Sequence, residues 1–224
     1  MLTLRDLVGN VVARRTRRGL AFDWLRLRAR VRNMGSAAVP PHRMLHLGCG
    51  GRRVPGFVNA DVTNSDWDID LASGRLPWVD GAFDRVVSQQ VIEHLELDSQ
   101  LKPLLKEIVR VLAPGGEAWL TCPDMEAICR SYLADGGATL LKDRQKRWPD
   151  FSLNGLPAQH MVNVLFHQAG EHVNLFDMPL LEHILKEAGF ARVDRVKESD
   201  LLERFPGFPL RDDDDISLVV RATK

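Results

Sequence analysis

The sequence predicts an α/β fold, a mostly parallel sheet with helices on both faces and two C-terminal strands that pair antiparallel. Three observations predict it. From residue 43 onward, short apolar strands alternate with amphipathic helices, the pattern of parallel strands joined by crossover helices. The turn Gly48-Cys49-Gly50-Gly51 follows the first apolar run directly, and ligands of open α/β sheets sit beyond such carboxyl ends of strands. The stretches 191–198 and 216–223 read as strands with no helix between them, so they can form an antiparallel hairpin.

The elements follow in order. Residues 3–13 place Leu4, Leu7, Val8, Val11 and Val12 on one helical face. A basic run, Arg14 to Arg18, precedes a second apolar group of Phe22, Trp24, Leu25 and Leu27, and residues 35–41 read as a linker. Residues 1–40 are therefore expected to be a basic helical extension, and 41–224 the main domain. Strands are expected at 43–47, 57–60, 67–71, 82–88 and 117–122, with a helical segment at 91–97. Lys102 to Leu112 is amphipathic, with Pro103 at a helix start, and Pro179 and Gly189 bracket another helix. The irregular stretch 125–177 reads as an insert placed to cover an acceptor.

Composition narrows the class. The chain has 224 residues, 45% of them hydrophobic, which suits one domain with a real core. No apolar run reaches the length of a membrane span, and the arginine-rich start lacks the features of a secretory signal. Three cysteines with no CxxC pair fit a reducing cytoplasm. The net charge is zero, although Met1 to Arg43 holds only two acids, Asp6 and Asp23. The chain as a whole carries no nucleic-acid signature.

Glycines at 48 and 50 let backbone approach a ligand, and Asp61, ending the next strand, can accept both hydroxyls of a ribose. A dinucleotide site wants a third glycine, a full helix and an acid about 20 residues on. Here Arg52 stands near the third glycine's place, Asp61 follows Gly48 by 13 residues, and Pro55 and Gly56 leave no room for a long helix. The spacing thus opposes a nicotinamide oxidoreductase and favours a ribose-bearing ligand without a pyrophosphate, such as S-adenosylmethionine.

"DIDLASGRLP", the strand running into "EHL", and "VLAPGG" before "EAWLTC" complete a series over residues 43–124 that resembles the class I S-adenosylmethionine-dependent methyltransferases. The resemblance implies a Rossmann-like sheet and S-adenosylmethionine as cofactor. It implies that Gly48, Cys49 and Gly50 meet the methionine and ribose, that Asp61 with its neighbour Val62 binds the ribose, that Asp70 and Leu71 flank the adenine, and that Ser88, Gln89 and Gln90 end the fourth strand over the cofactor. "LHLGCGG", "PGFVNAD", "CPD" and the stretch from Asn154 to Asp177 resemble a little-characterised branch linked to surface glycan or secondary-metabolite assembly. This chain departs from that branch in Glu171, which separates Gly170 from His172, and in Phe176, where a tyrosine is usual. His46 stands where many class I enzymes carry an acid.

Methyl transfer to a hydroxyl needs a base, and histidine is the usual one near neutral pH. His94 and His172 are the candidates. No metal is expected, because His160, His167 and His172 do not share a helical face. The expected acceptor is a small molecule or glycan, methylated at oxygen or nitrogen. An RNA methyltransferase using the basic N-terminus and a non-catalytic cofactor-binding module are the rivals, and a homodimer through the N-terminal helices is a further expectation.

Overall fold

A computed structural model describes residues 14–213 and 215–224; the helix expected over 3–13 lies outside them. Helix α1 (Arg14–Arg32) leads into the main domain. The sheet strands are β1 (Met44–Leu47), β2 (Val58–Asp61), β3 (Trp67–Asp68), β4 (Phe83–Gln89), β5 (Leu112–Pro123), β6 (Arg192–Val196) and β7 (Ser217–Thr223). Their order is β3-β2-β1-β4-β5-β7-β6, with β7 antiparallel to both neighbours and the pairs from β3 to β5 parallel. The expected mostly parallel sheet with an antiparallel C-terminal pair is what the chain forms.

Helix α2 (Lys102–Val111) carries Pro103 in its first turn, as its sequence required. Helices α3 (Met125–Asp135), α4 (Ala138–Arg147) and α5 (His160–His167) belong to the insert, and α6 (Met178–Ala188) follows it. Asp177 caps α6 by accepting the Leu180 amide at 2.9 Å, and Gly189 ends it in the left-handed region. Between β6 and β7 lies α7 (Glu198–Arg204), so these strands are not a simple hairpin. The segment 91–97 forms a 3₁₀ turn at Ile92–His94, with Leu97 opening a π-helical turn (Leu97–Leu101), and the expected third strand shrinks to two residues because Asp70 starts a turn instead.

Both sheet faces are covered, and adjacent residues of one strand show it. Val86 of β4 packs with Leu104, Ile108, Leu181 and Leu185 of α2 and α6. Its neighbour Val87 packs on the other face with Trp119, Leu201, Phe205 and Phe208. The insert builds a third small core from Ile128, Leu140, Leu153, Met161 and Leu165.

Helix α1 is anchored at its C-terminal end. Asn33 accepts the Trp67 indole N–H at 2.8 Å and donates to the Asp68 carbonyl at 2.8 Å. The expected linker is also tied down, since Ala38 donates to Pro77 at 2.8 Å and accepts from Val79 at 3.1 Å.

Candidate functional site

The carboxyl ends of β1, β2 and β4 meet where the strand order reverses, the usual place for a ligand crevice. β1 stops at Gly48, whose φ of +67° suits glycine, and a Cβ there would stand 2.3 Å from a methyl of Val91. Asp61 ends β2 and ties the turn down: one carboxylate oxygen accepts the Gly50 amide at 2.8 Å, the other the Val62 amide at 2.6 Å. Each oxygen keeps lone-pair capacity for a further donor. Gly48, Asp61, Val62, Asp70, Leu71 and His94 line one cleft of about 670 Å³, within the range of small-molecule sites. That volume, the bare turn backbone and the carboxylate at its wall fit an adenosine-bearing ligand.

The other expected contacts are placed differently. Gly50 is exposed at the turn, while Cys49 is buried beneath it, its thiol pushed up to about 11 by burial. Gln89 is buried, with its amide nitrogen unpartnered, and it does not line the cleft; Gln90 lines it instead. β4 ends at Gln89, and Gln90, with a φ of +57°, turns the chain and meets the cleft.

Asp70 was expected beside an adenine, but its carboxylate is already engaged. It accepts Arg26 Nε at 3.1 Å and Arg30 Nε at 2.5 Å, and it caps the following turn through the Ala72 amide at 3.1 Å. Phe22 and Arg26 thereby put α1 in the wall of the same cleft. Asp70 is buried and both arginines are partly exposed, so the pairing is worth less than a fully buried one. Replacing both arginines by alanine should lower unfolding free energy by about 2 kcal/mol in urea titration, through the stranded Asp70 charge.

His46, where an acid was usual, faces the opposite side of β1. It is 2% exposed, its Nδ1 stands 3.4 Å from Asn59 Oδ1, and its ring meets Phe208 edge-on at 4.7 Å. Asn59 braces the β1–β2 connection, accepting the Val54 amide at 2.8 Å and donating to Asp66 at 2.8 Å. Burial pushes the His46 ring down to about 4; Arg52 adds to this, while Asn59 and Asp61 oppose it. The unfolded ring takes a proton near pH 6.5, which the folded ring refuses until about 4. Stability is therefore complete above pH 6.5 and lost as pH falls towards 4. Between pH 7.5 and 4.5, His46→Gln should lose about 2.5 kcal/mol less than the parent in urea titrations.

Beside this cleft, the 3₁₀ turn meets the loop before α6. The Glu93 carbonyl accepts the amides of Val173 (2.9 Å) and Asn174 (3.1 Å), and the Asn174 side chain donates to the Leu95 carbonyl. This brings His94 and His172 together, their rings edge-to-face with centroids 4.8 Å apart. His94 Nδ1–H donates to the Glu171 carbonyl at 3.1 Å and His172 Nδ1–H to the Leu165 carbonyl at 2.9 Å. Each neutral ring therefore keeps its lone pair on Nε2. Burial and the neighbouring His94 hold the His172 ring below its ordinary range. The rings of His160 and His167 lie apart, His160 against Asn163 and His167 exposed, although the His167 carbonyl accepts the amides of Glu171 (3.1 Å) and His172 (3.3 Å).

A smaller pocket of about 150 Å³ opens on the far side of His94 and His172, walled by Arg144, Arg147, Trp148 and Arg211. Asp213 pairs with Arg147 (3.6 Å) and Arg211 (3.2 Å), while Arg144 stacks on Trp148 with its Nε buried and unpartnered. Asp124 is taken up by capping α3 and pairing with Arg195 at 2.6 Å.

The sequence reading gave no role to Arg26, Arg30, Arg144 or, above all, Glu93. Glu93 is 1% exposed, neither carboxylate oxygen has a partner, and burial pushes it up to about 8. Its place in "EHL" was the one available signal.

Residues 57–120 match the family model for the methyltransferase domain. No curated protein matches the sequence. Among solved structures, a methyltransferase from Thermotoga maritima, described as a possible histamine N-methyltransferase, is 19% identical over all of both chains, with a TM-score of 0.49. One from Archaeoglobus fulgidus is 15% identical over 92% of this chain and 94% of its own, also at 0.49. Phosphoethanolamine N-methyltransferase 2 of Haemonchus contortus, solved with S-adenosylmethionine, is 15% identical over all of this chain and 60% of its own, at 0.44. Residues 57–120 thus carry a methyltransferase domain, set in a sheet of order β3-β2-β1-β4-β5-β7-β6.

Proposed function

We propose that the protein methylates an oxygen or nitrogen of a small-molecule or glycan acceptor bearing a negative charge. One observation carries the reading: His94 lines both the 670 Å³ cleft and the 150 Å³ pocket, so it stands where donor and acceptor meet. In the cleft, the backbone around Gly48 and Gly50 receives the methionine and ribose part, with Cys49 holding the turn from beneath. Asp61 takes the ribose hydroxyls, Val62 and Leu71 bound the nucleoside, and the arginine-held Asp70 orders the turn at the adenine end. Bound S-adenosylmethionine supplies a sulfonium methyl carbon that the acceptor's lone pair attacks, the C–S electron pair returning to sulfur to leave S-adenosylhomocysteine.

His94 and His172 hold the acceptor with their free ring nitrogens, where its proton departs. The insert, 125–177, excludes water from that pocket, and orientation with water exclusion is most of what a displacement at carbon requires. Three guanidinium groups against Asp213 favour a phosphate or carboxylate on the acceptor. Arg26 and Arg30, which an RNA-binding face would use, are engaged with Asp70.

The test is S-adenosylhomocysteine release across a panel of sugars and small alcohols or amines, each with and without a phosphate or carboxylate. Turnover confined to charged members is expected. Turnover only with neutral acceptors, or only with RNA, contradicts the reading.

A further inference from the structure

We propose that Glu93, His94 and His172 bind a divalent transition cation of the zinc, cobalt(II) or iron(II) class at the boundary between the two pockets. One donor atom from each side chain lies within 4.8 Å of the other two. A tetrahedral cation with bonds of about 2.1 Å needs its ligands about 3.4 Å apart, a closure that side-chain rotation supplies. Two imidazoles and one carboxylate suit these metals, and three protein ligands leave an open position.

The surroundings are those of a ligand set. Glu93 is the more telling member. Its two carboxylate oxygens are buried and make no hydrogen bond, although native proteins pair nearly all such atoms. A cation would satisfy them. Both imidazoles have Nδ1–H fixed by a backbone carbonyl, the second contact that metal-bound histidines habitually make, and this directs Nε2 as ligand. The main-chain bonds from Val173 and Asn174 to Glu93 hold the two segments in one register, so the trio is built by backbone pairing. The charged groups acting on Glu93, Arg211 and Asp213, oppose each other.

The open position faces the pocket assigned to the acceptor. With the cation bound, both Nε2 lone pairs are its ligands and the histidines hold the acceptor through it rather than directly; an acceptor oxygen at the open position would lose its proton more readily, that proton passing to solvent. This role rests on the proposed methyl-transfer site; the existence of the cation site does not.

The test uses the full chain, stripped with chelator, dialysed and titrated with Co²⁺. We expect a visible ligand-field absorption that saturates at one equivalent and is displaced by Zn²⁺. Glu93→Gln, which keeps the side chain's shape, and His172→Ala should each weaken Co²⁺ binding by at least about 100-fold. Circular dichroism confirms that the variants are folded. Absence of the absorption in the parent chain, or unchanged titrations in both folded variants, overturns the proposal. S-adenosylhomocysteine is titrated into the same metal-free sample. Its binding without a cobalt signal refutes the cation site alone; a cobalt signal without its binding supports the cation site and refutes the donor cleft alone.

Discussion

Asp61→Ala is expected to weaken S-adenosylhomocysteine binding by at least about 100-fold, or about 2.7 kcal/mol, measured by calorimetry. The size follows from what the carboxylate does. In the proposed site it would present charged acceptors to two ribose hydroxyls, and each charge-assisted bond is worth about 1.5–3 kcal/mol. It also holds the glycine turn through the Gly50 amide, so its loss loosens the backbone that the ligand meets. Gly50 is exposed, and its amide finds water when Asp61 is gone, so the fold should hold. Asp61→Asn keeps one acceptor and should fall between the two.

His172→Ala should lower kcat by about 100- to 10,000-fold on the acceptor that the panel identifies, with S-adenosylhomocysteine affinity unchanged. His172 lines the 150 Å³ pocket and not the 670 Å³ cleft, so under the proposed reading its removal separates chemistry from donor binding. His94 lines both, and His94→Ala should affect both readings. If the two histidines act as one unit, the double variant loses little more than His172→Ala alone. Stopped turnover with normal donor affinity supports this division, and a parallel loss of donor affinity in His172→Ala contradicts it.

How far the sequence disclosed these features depends on whether the interaction was local. Strands β1, β2, β4, β5 and β7 and helices α2 and α6 announced themselves through short-range periodicity and stop signals. Asp61 was legible because the strand that carries it follows the glycine turn directly. Helix α7 was not, since seven residues hold too little periodic signal. Asp70 was legible as a site residue, but its partners Arg26 and Arg30 lie about 40 residues upstream on a helix whose docking no local pattern encodes. The Glu93–His94–His172 cluster joins residues nearly 80 positions apart, so spacing rules applied to His160, His167 and His172 do not reach it. Gln89 ends β4 while Gln90 takes a left-handed turn beyond it, and a sequence reading with uncertain strand ends does not separate the two.

A structure of the protein crystallised with S-adenosylhomocysteine tests the central claim most directly. The account predicts the ribose hydroxyls on the Asp61 carboxylate, the amino-acid part against the Gly48–Gly50 turn, and the sulfur facing His94. A ligand seated away from Asp61, or a sulfur directed away from the His94–His172 pocket, would contradict it.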